Sequence, residues 1–324
     1  MDYHKLALRW APVNYQYIDL DEKCNYHAIK RDLLCQVNFE SNTTEYPIWD
    51  TMHVKERLEH ANIGHLVPTA YYSVAETVDH FFILYSFYHA DDATHPNDME
   101  GCLVILEKQN DENKQLLLGM ITIAHYDFWY YALEERLLVK EGIETSGSME
   151  IDEEFDGHGH PLIQQEDRKH GLYALGTHVA WFTKLWRWFL SVINCPPDII
   201  VYYPNTKPSE YSLNNLTKGK KTPYDPAFYY QLIDILDEEK GLWKKWLGKP
   251  NETFGEDGRF GGGAANPPWQ WKPGFDAKKH DTPKLELMWT NPQQLVSDNF
   301  RPRKDGKEFS STYIRYMDGT KSKQ

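Results

Sequence analysis

Apolar and polar positions alternate in short runs along most of the chain, and the densest runs flank one polar loop. From Phe81 to Glu107, an apolar stretch ending in YSFY gives way to Asp91, Asp92, His95, Asp98 and Glu100, and a second apolar stretch runs from Cys102 to Leu106. Both stretches are short and rich in aromatic and β-branched residues, which predicts buried strands rather than helices of ordinary length. Pro68 to Val78 predicts the strand before them, and Leu116 to Tyr131 (LLLGMITIAHYDFWYY) one or two strands after them. Within Leu6 to Asp21, Val13, Tyr15 and Tyr17 alternate with Asn14 and Gln16, the pattern of a half-buried strand. Asp198 to Tyr203 (DIIVYY) reads as a buried strand between two prolines, and Leu285 to Trp289 as the last strand.

Helical spacing is rarer. Asp225 to Leu247 is the best candidate, with Phe228, Leu232, Ile235 and Leu236 recurring on one side and lysines before Gly248. Asp50 to Ala61, with Asp50 as cap, and Thr183 to Ile193 are shorter ones. The resulting expectation is a mainly β fold with peripheral helices, a two-sheet β-sandwich with long loops forming a single domain over residues 1–324. A polar insertion is expected near residues 134–169, where Glu150, Asp152, Glu153, Glu154 and Asp156 crowd together, and a mobile basic tail after Asn299. The acidic run lacks the regular ligand alternation of a Ca²⁺ loop and reads as solvated. The Gly- and Pro-rich stretch from Phe254 to Gly274 lacks the spacing of a phosphate-cradling loop, and Trp269 and Trp271 read as packing or stacking residues.

Composition narrows the function. A hydrophobic content of 41% with 14% aromatics suffices for a large core, and a net charge of -13 argues against general nucleic-acid or anionic-membrane binding without a local basic patch. Only Lys218 to Lys221 and Arg301 to Lys307 offer such a patch in sequence, and runs of that kind are more often solvated loops. No apolar stretch is long enough for a transmembrane helix, and the opening MDYHKLALRWAPV lacks the apolar core of a secretory signal, so the expected locations are the cytosol or export by a signal-less or processed route. Four cysteines are too scattered for a disulfide scaffold; Cys24 and Cys35 could pair in an oxidising compartment, with free thiols as the default. Sequons at Asn42, Asn215 and Asn251 matter only in a secreted eukaryotic product.

The candidate chemistry lies in the central loop. Asp98 and Glu100, two apart in an extended segment, point to one side, and His95 can turn back towards them. Carboxylates this close repel unless a proton or a cation intervenes. One imidazole among several carboxylates suits Mg²⁺, Ca²⁺ or Mn²⁺ better than Zn²⁺. A solvated hairpin loop is the plainer alternative. His125 and Asp127 lie two apart on the following strand and could share a face with the loop, although a histidine satisfied among aromatics is the commoner case.

The stretch YSFY followed by HPNDMEG resembles the central motif of the necrosis- and ethylene-inducing peptide-like toxins and of the related vacuolar-protein-sorting-type family, in which an aromatic strand leads into an H-x-x-D-W-E core. The resemblance implies that His95, Asp98 and Glu100 coordinate a metal and that Asp91 or Asp92 stands near a further acidic ligand. Met99 replaces the customary Trp, and Asn97 stands where the toxin branch has a second His. LALRWAP near the start and GLYALGTHVAWF from Gly171 look closer to the vacuolar-sorting branch, with His178 on that family's turn histidine. His125, Asp127, Trp129 and His178 are then candidate ligand contacts. In the toxins the cation pocket engages the sugar head group of a sphingolipid and damages membranes without covalent catalysis.

No nucleophile elbow, zincin motif or Cys–His constellation is present. Three functions follow in order: a cation-dependent binder of a glycan or lipid head group, toxin- or effector-like, with peripheral membrane contact; a metal-dependent hydrolase of a phosphodiester or glycoside using His125 or His178 as acid or base; and a structural sandwich with no bound ion.

Overall fold

A computed structural model of the chain describes residues 1–18, 30–38, 58–92, 96–111, 114–124, 127–134, 136–140, 147–176, 199–212, 227–245, 267–271 and 285–322. The central hairpin joins β3 (His80–Asp91) to β4 (Pro96–Lys108), paired in register from His80 opposite Glu107 to Asp91 opposite Pro96. β2 (Thr69–Thr77), β5 (Gln115–Ala124) and β6 (Asp127–Ala132) extend it as an antiparallel meander. Every residue of β3 but Asp91 is buried, as both faces of the hairpin are covered; hence its near-continuous apolar sequence.

The rest of the sheet comes from distant parts of the chain: β1 (Val13–Tyr17), β10 (His160–Gln165), β11 (Leu172–Ala174), β12 (Ile199–Asn205) and β13 (Ala227–Asp234). In space the order is β11-β10-β1-β12-β13-β2-β3-β4-β5-β6, with parallel pairing of β1 to β10, β12 to β13 and β13 to β2. The sheet curls back towards itself as a half-barrel: Thr122 Oγ1 on β5 donates to the Leu172 carbonyl on β11 at 2.6 Å. The mainly β expectation holds. In place of two large stacked sheets, the described strands join in one curled mixed sheet, and the small second sheet pairs only β7 (Leu137–Val139) with β14 (Phe300–Pro302).

Helix α1 (Tyr3–Trp10) lies inside the curl. Its first turn is capped by Asp2, which accepts from the Lys5 amide at 3.1 Å. Its end is held from three strands: Tyr85 Oη donates to the Ala7 carbonyl at 2.7 Å, Tyr230 Oη to that of Pro12 at 2.6 Å, and His160 Nδ1 lies 2.7 Å from the Ala11 carbonyl. Carbonyls at a helix C-terminus lack intrahelical partners, so buried tyrosines supply them. Burying Leu6, Ala7 and Trp10 against the same face fixes the plug.

Several sequence expectations change. Leu6 to Trp10 is helical rather than the start of a strand, because the chain must leave the sheet to fill the curl. On β1 the polar residues are the buried ones: Asn14 and Gln16 are fully enclosed, while Tyr15 and Tyr17 are half-exposed. The helix expected within 225–247 is strand β13, because its aromatic run is claimed by pairing on both sides, to β12 and β2. Leu285 to Trp289 runs into the short helix α2 (Leu287–Thr290), followed by α3 (Pro292–Asn299), rather than a last strand.

The segment after Asn299 is packed down rather than loose. Besides β14 it holds β15 (Tyr313–Arg315), paired to β2, and Lys307, whose amide donates to Glu107 Oε2 at 3.0 Å. The polar region 134–169 ends in β10, which is wholly buried within the sheet, although Glu153, Glu154 and Asp156 are exposed as expected. Cys35 and Cys102 are free buried thiols. The candidate helix at 183–193, all but the last turn of the one at 50–61, the KGKK run and the three sequons lie outside the described residues.

Two buried contacts make the packing testable. Trp271 is only 2% exposed and brings the edge of its ring against β4 where Gly101 leaves room; a Cβ there would sit 2.4 Å from its ring. Gly101→Ala is expected to cost about 1–3 kcal/mol in denaturant unfolding and to shift tryptophan emission. His80 is buried beneath Phe309, with ring centroids 4.7 Å apart and no hydrogen-bond partner for either ring nitrogen among the described residues. Burial first, and then the charges of Lys307 and Lys108, hold it down at about 4. Its stabilising contribution is therefore complete above its ordinary value of 6.5 and is lost as pH falls towards 4. Between about pH 7 and about pH 4.5, His80→Phe should lose about 2 kcal/mol less stability than wild type in urea unfolding.

Candidate functional site

The turn end of the β3–β4 hairpin carries the acidic residues. Asp92 is buried just beyond β3, and Asp98 is buried on β4 opposite His89. Between Pro96 and Asp98, Asn97 takes a left-handed backbone (φ 60°), and its side chain accepts a hydrogen bond from Tyr88 Oη. That twist fixes how β4 enters the sheet. Glu100, 1% exposed, lies one pleat further along and on the same face as Asp98.

A second arm approaches from the turn after β10. Arg168 and His170 both hold left-handed backbones (φ 64° and 56°), a conformation that costs a non-glycine residue about 1 kcal/mol or more. The turn is braced from β1 and β10: Asn14 Nδ2 donates to Gln165 Oε1 at 2.9 Å, Gln165 Nε2 to the His170 carbonyl at 2.9 Å, and Gln16 Nε2 to the Glu166 carbonyl at 3.0 Å. The buried polar residues of β1 therefore aim an imidazole. Gly171 follows because the backbone passes close to β5, where a Cβ would lie 3.1 Å from that of Ala124.

His170 bridges two carboxyl groups from segments remote in sequence. Its Nδ1 lies 2.9 Å from Asp98 Oδ2 and its Nε2 3.3 Å from Asp32 Oδ1, all three residues being buried. Asp32 also accepts from the Arg168 amide at 3.0 Å and lies 3.4 Å from Arg31 Nε. Burial alone would push His170 down, but the hydrogen bonds and charges of Asp32 and Asp98 outweigh it and raise the imidazole to about 9. His89 stacks on His170 at 3.9 Å, with the planes 9° apart. Burial, followed by the charge on His170, holds His89 well below the ordinary range. The pair is one imidazolium on one neutral ring.

Asp92, Asp98 and His170 each offer a ligand atom, and these lie within 4.8 Å of one another. The donor set is oxygen-rich with a single nitrogen, and it fits a hard or borderline divalent cation. Of the residues expected from sequence, Asp98 and Asp92 meet here. Glu100 shares their face but stands outside that group, and half-buried Asp91 ends β3. His95, His125 and His178 lie outside the described residues. Asp127 is exposed at the start of β6, and Trp129 is half-buried with its ring edge-on to Tyr173 at 5.3 Å. Burial first, then the charges of Glu166 and Glu100, push the Tyr173 hydroxyl up from its ordinary value.

Asp32, His89 and His170 escape sequence reasoning. His170 follows a polar turn and precedes a glycine, the one local sign of a tight bend; Asp32, inside KRDLL, carries no sign at all.

No family model and no curated protein matches the chain. Among solved structures it is similar to the non-toxic HaNLP3 protein, with 16% identity and a TM-score of 0.31 over 55% of this chain and 74% of that one. It is similar to the Necrosis and Ethylene inducing Protein 2 from the causal agent of cocoa's Witches Broom disease, with 15% identity and a TM-score of 0.29 over 52% and 66% of the two chains. It is similar also to NLPPya in complex with glucosamine, with 14% identity and a TM-score of 0.23 over 53% and 79%. The likeness to this toxin fold is remote and partial, and it assigns no role to any residue.

The raised imidazole gives a direct check. A folded value of about 9 against an ordinary 6.5 means that the contribution of His170 is complete below 6.5 and is lost as pH rises through about 9. In excess chelator, the unfolding free energy should fall by about 2–3 kcal/mol across that window, and His170→Gln should flatten the decline.

Proposed function

We propose that the protein is a non-enzymatic, divalent-cation-dependent binder of a glycan or of a sugar-bearing lipid head group. The observation that carries this reading is the convergence of Asp92, Asp98 and His170 in a buried group with more carboxyl groups than imidazoles. These three residues would hold Mg²⁺, Ca²⁺ or Mn²⁺, with Glu100 one pleat away and His95, three residues before Asp98, as a further ligand on sequence grounds. A cation with so few protein ligands keeps positions for water, and the vicinal hydroxyls of a sugar can take those positions. Half-buried Trp129, its ring edge-on to Tyr173, would be a further contact for the sugar. Contact with a membrane would then be peripheral, made through the head group. No helix among the described residues is long and apolar enough to cross a bilayer.

The closer likeness of LALRWAP and GLYALGTH to the vacuolar-sorting branch rests on those two stretches of sequence. A hydrolytic reading would draw on His125 and His178, and no described geometry favours it.

A second reading has its own support. His170 has a carboxyl group on each ring nitrogen, and the Asp32–His170–Asp98 triad, with Arg31 3.4 Å from Asp32, can balance its charge without an ion. The two readings part on metal uptake. Loading would require His170 to give up its proton, so apparent affinity should strengthen as pH rises towards about 9, with proton release seen in titrations run in buffers of different ionisation enthalpy. Titration of the chelator-stripped protein with Mn²⁺, Mg²⁺ and Ca²⁺ is expected to show one bound ion. Asp98→Asn and His170→Gln should each weaken it by about tenfold or more. Glucosamine and mannosamine, found on similar structures, are the first sugars to test with and without the ion. A stripped protein that takes up no ion at millimolar concentration supports the triad and ends the cation reading.

A further inference from the structure

A groove of about 680 Å³ opens between α1 and the ends of β2 to β5. It stands at the opposite end of the β3–β4 hairpin from the acidic cluster, because Phe81 and Lys108 lie at the open end of the hairpin and Asp98 near the turn that closes it. At ~3.3 Å per residue the two sites are roughly 30 Å apart. Lys5, Arg9, Lys108 and Lys114 line the groove against two acids, Asp2 and Glu76, so its lining is net positive on a chain whose net charge is -13.

The four cations are placed differently. Lys108 is anchored at the back: its Nζ lies 2.6 Å from Glu76 Oε1 and 2.7 Å from the Thr77 carbonyl, 4.7 Å over the Phe81 ring. Lys5 and Arg9 are one helical turn apart and share a face of α1. Lys5 and Lys114 stand at the rim with side chains 84% and 73% exposed, each 3.8 Å from one exposed acid, Asp2 and Asp111. Exposed pairs of that kind contribute little, so both ammonium groups can leave their partners for a doubly charged anion. Leu6 and Phe81, 4% and 2% exposed, contribute the apolar part of the lining.

We propose that this groove is a second binding site, for a phosphate monoester group, held by Lys5, Arg9 and Lys114 above the fixed charge of Lys108. The ester's organic portion rests on Leu6 and Phe81. The site is independent of the cation cluster and works with that cluster empty or full. A free phosphate ester and the head group of an anionic phospholipid present the same chemistry, and a titration separates them.

The full chain, held in excess chelator, is titrated with glycerol 3-phosphate and, separately, with phosphatidylcholine vesicles with and without phosphatidic acid. Saturable uptake of glycerol 3-phosphate marks a soluble ester as ligand. Uptake only on the phosphatidic acid vesicles marks a lipid surface. Both arms require that Lys5→Gln with Lys114→Gln weaken binding by about tenfold, that added salt weaken it further, and that Asp98→Asn leave it unchanged. Arg9→Gln, checked for an unaltered unfolding curve, should act in the same direction. No uptake in either arm overturns the proposal, as does uptake that the double lysine variant retains or that Asp98→Asn abolishes.

Discussion

The contact on which the site depends is the imidazole of His170 held between the carboxyl groups of Asp32 and Asp98. It ties together three segments, one before the central hairpin, one within it and one after it, through three buried side chains. A buried charge is tolerated only when it is paired and hydrogen-bonded, so removing either acid would leave the imidazolium under-compensated and removing the imidazole would leave the acids facing each other. The surrounding structure is arranged to hold that ring. Left-handed backbones at Arg168 and His170 persist because Asn14, Gln16 and Gln165 satisfy the turn from below, and His89 stacks flat above the ring as a neutral partner.

The curled sheet gives this network its setting. Its inner face is divided between apolar packing around α1 and a polar region built from β1, β10 and the end of β4, and the same strands serve both. Tyr85 and Tyr230 show how: each buries a large ring and spends its hydroxyl on a main-chain carbonyl near the helix end. With α1 fixed inside, the hairpin cannot shift register without exposing the apolar face of β3 or moving Asp98 away from His170.

The hairpin was legible in sequence because its signals are local: two dense β-forming runs and an acidic loop between them, which supplies Asp92 and Asp98 to the buried group. What escaped is long-range. Asn14 and Gln16 read as an outward face, since alternation shows which residues share a side but not which side is buried, and here the interior is the polar one. Strand β13 read as a helix because its apolar spacing also matches a helical stripe; the decision falls to β12 and β2, which flank it in space and are absent from its local sequence. The segment after Asn299 read as loose from its basic composition, yet Tyr313 pairs with Thr77 some way back in the chain. His170 and Asp32 have no motif between them, because a carboxyl–imidazole bridge across such a distance leaves no spacing to detect.

Charge accounting gives the buried cluster its chemical direction. One proton on His170 can answer for the bond to Asp98 and, with Arg31 close by, for Asp32; Asp92 stands within 4.8 Å of the same group and Glu100 one pleat away. Two like charges at that separation repel by roughly 3–4 kcal/mol at an effective dielectric constant of ~20. Carboxylates buried this close together therefore favour whatever brings positive charge among them, and a proton brings one unit where a divalent ion would bring two. Asp98 helps His170 hold its proton and also belongs to the group proposed to hold an ion, so in that reading a proton and a cation would compete for the His170 ring.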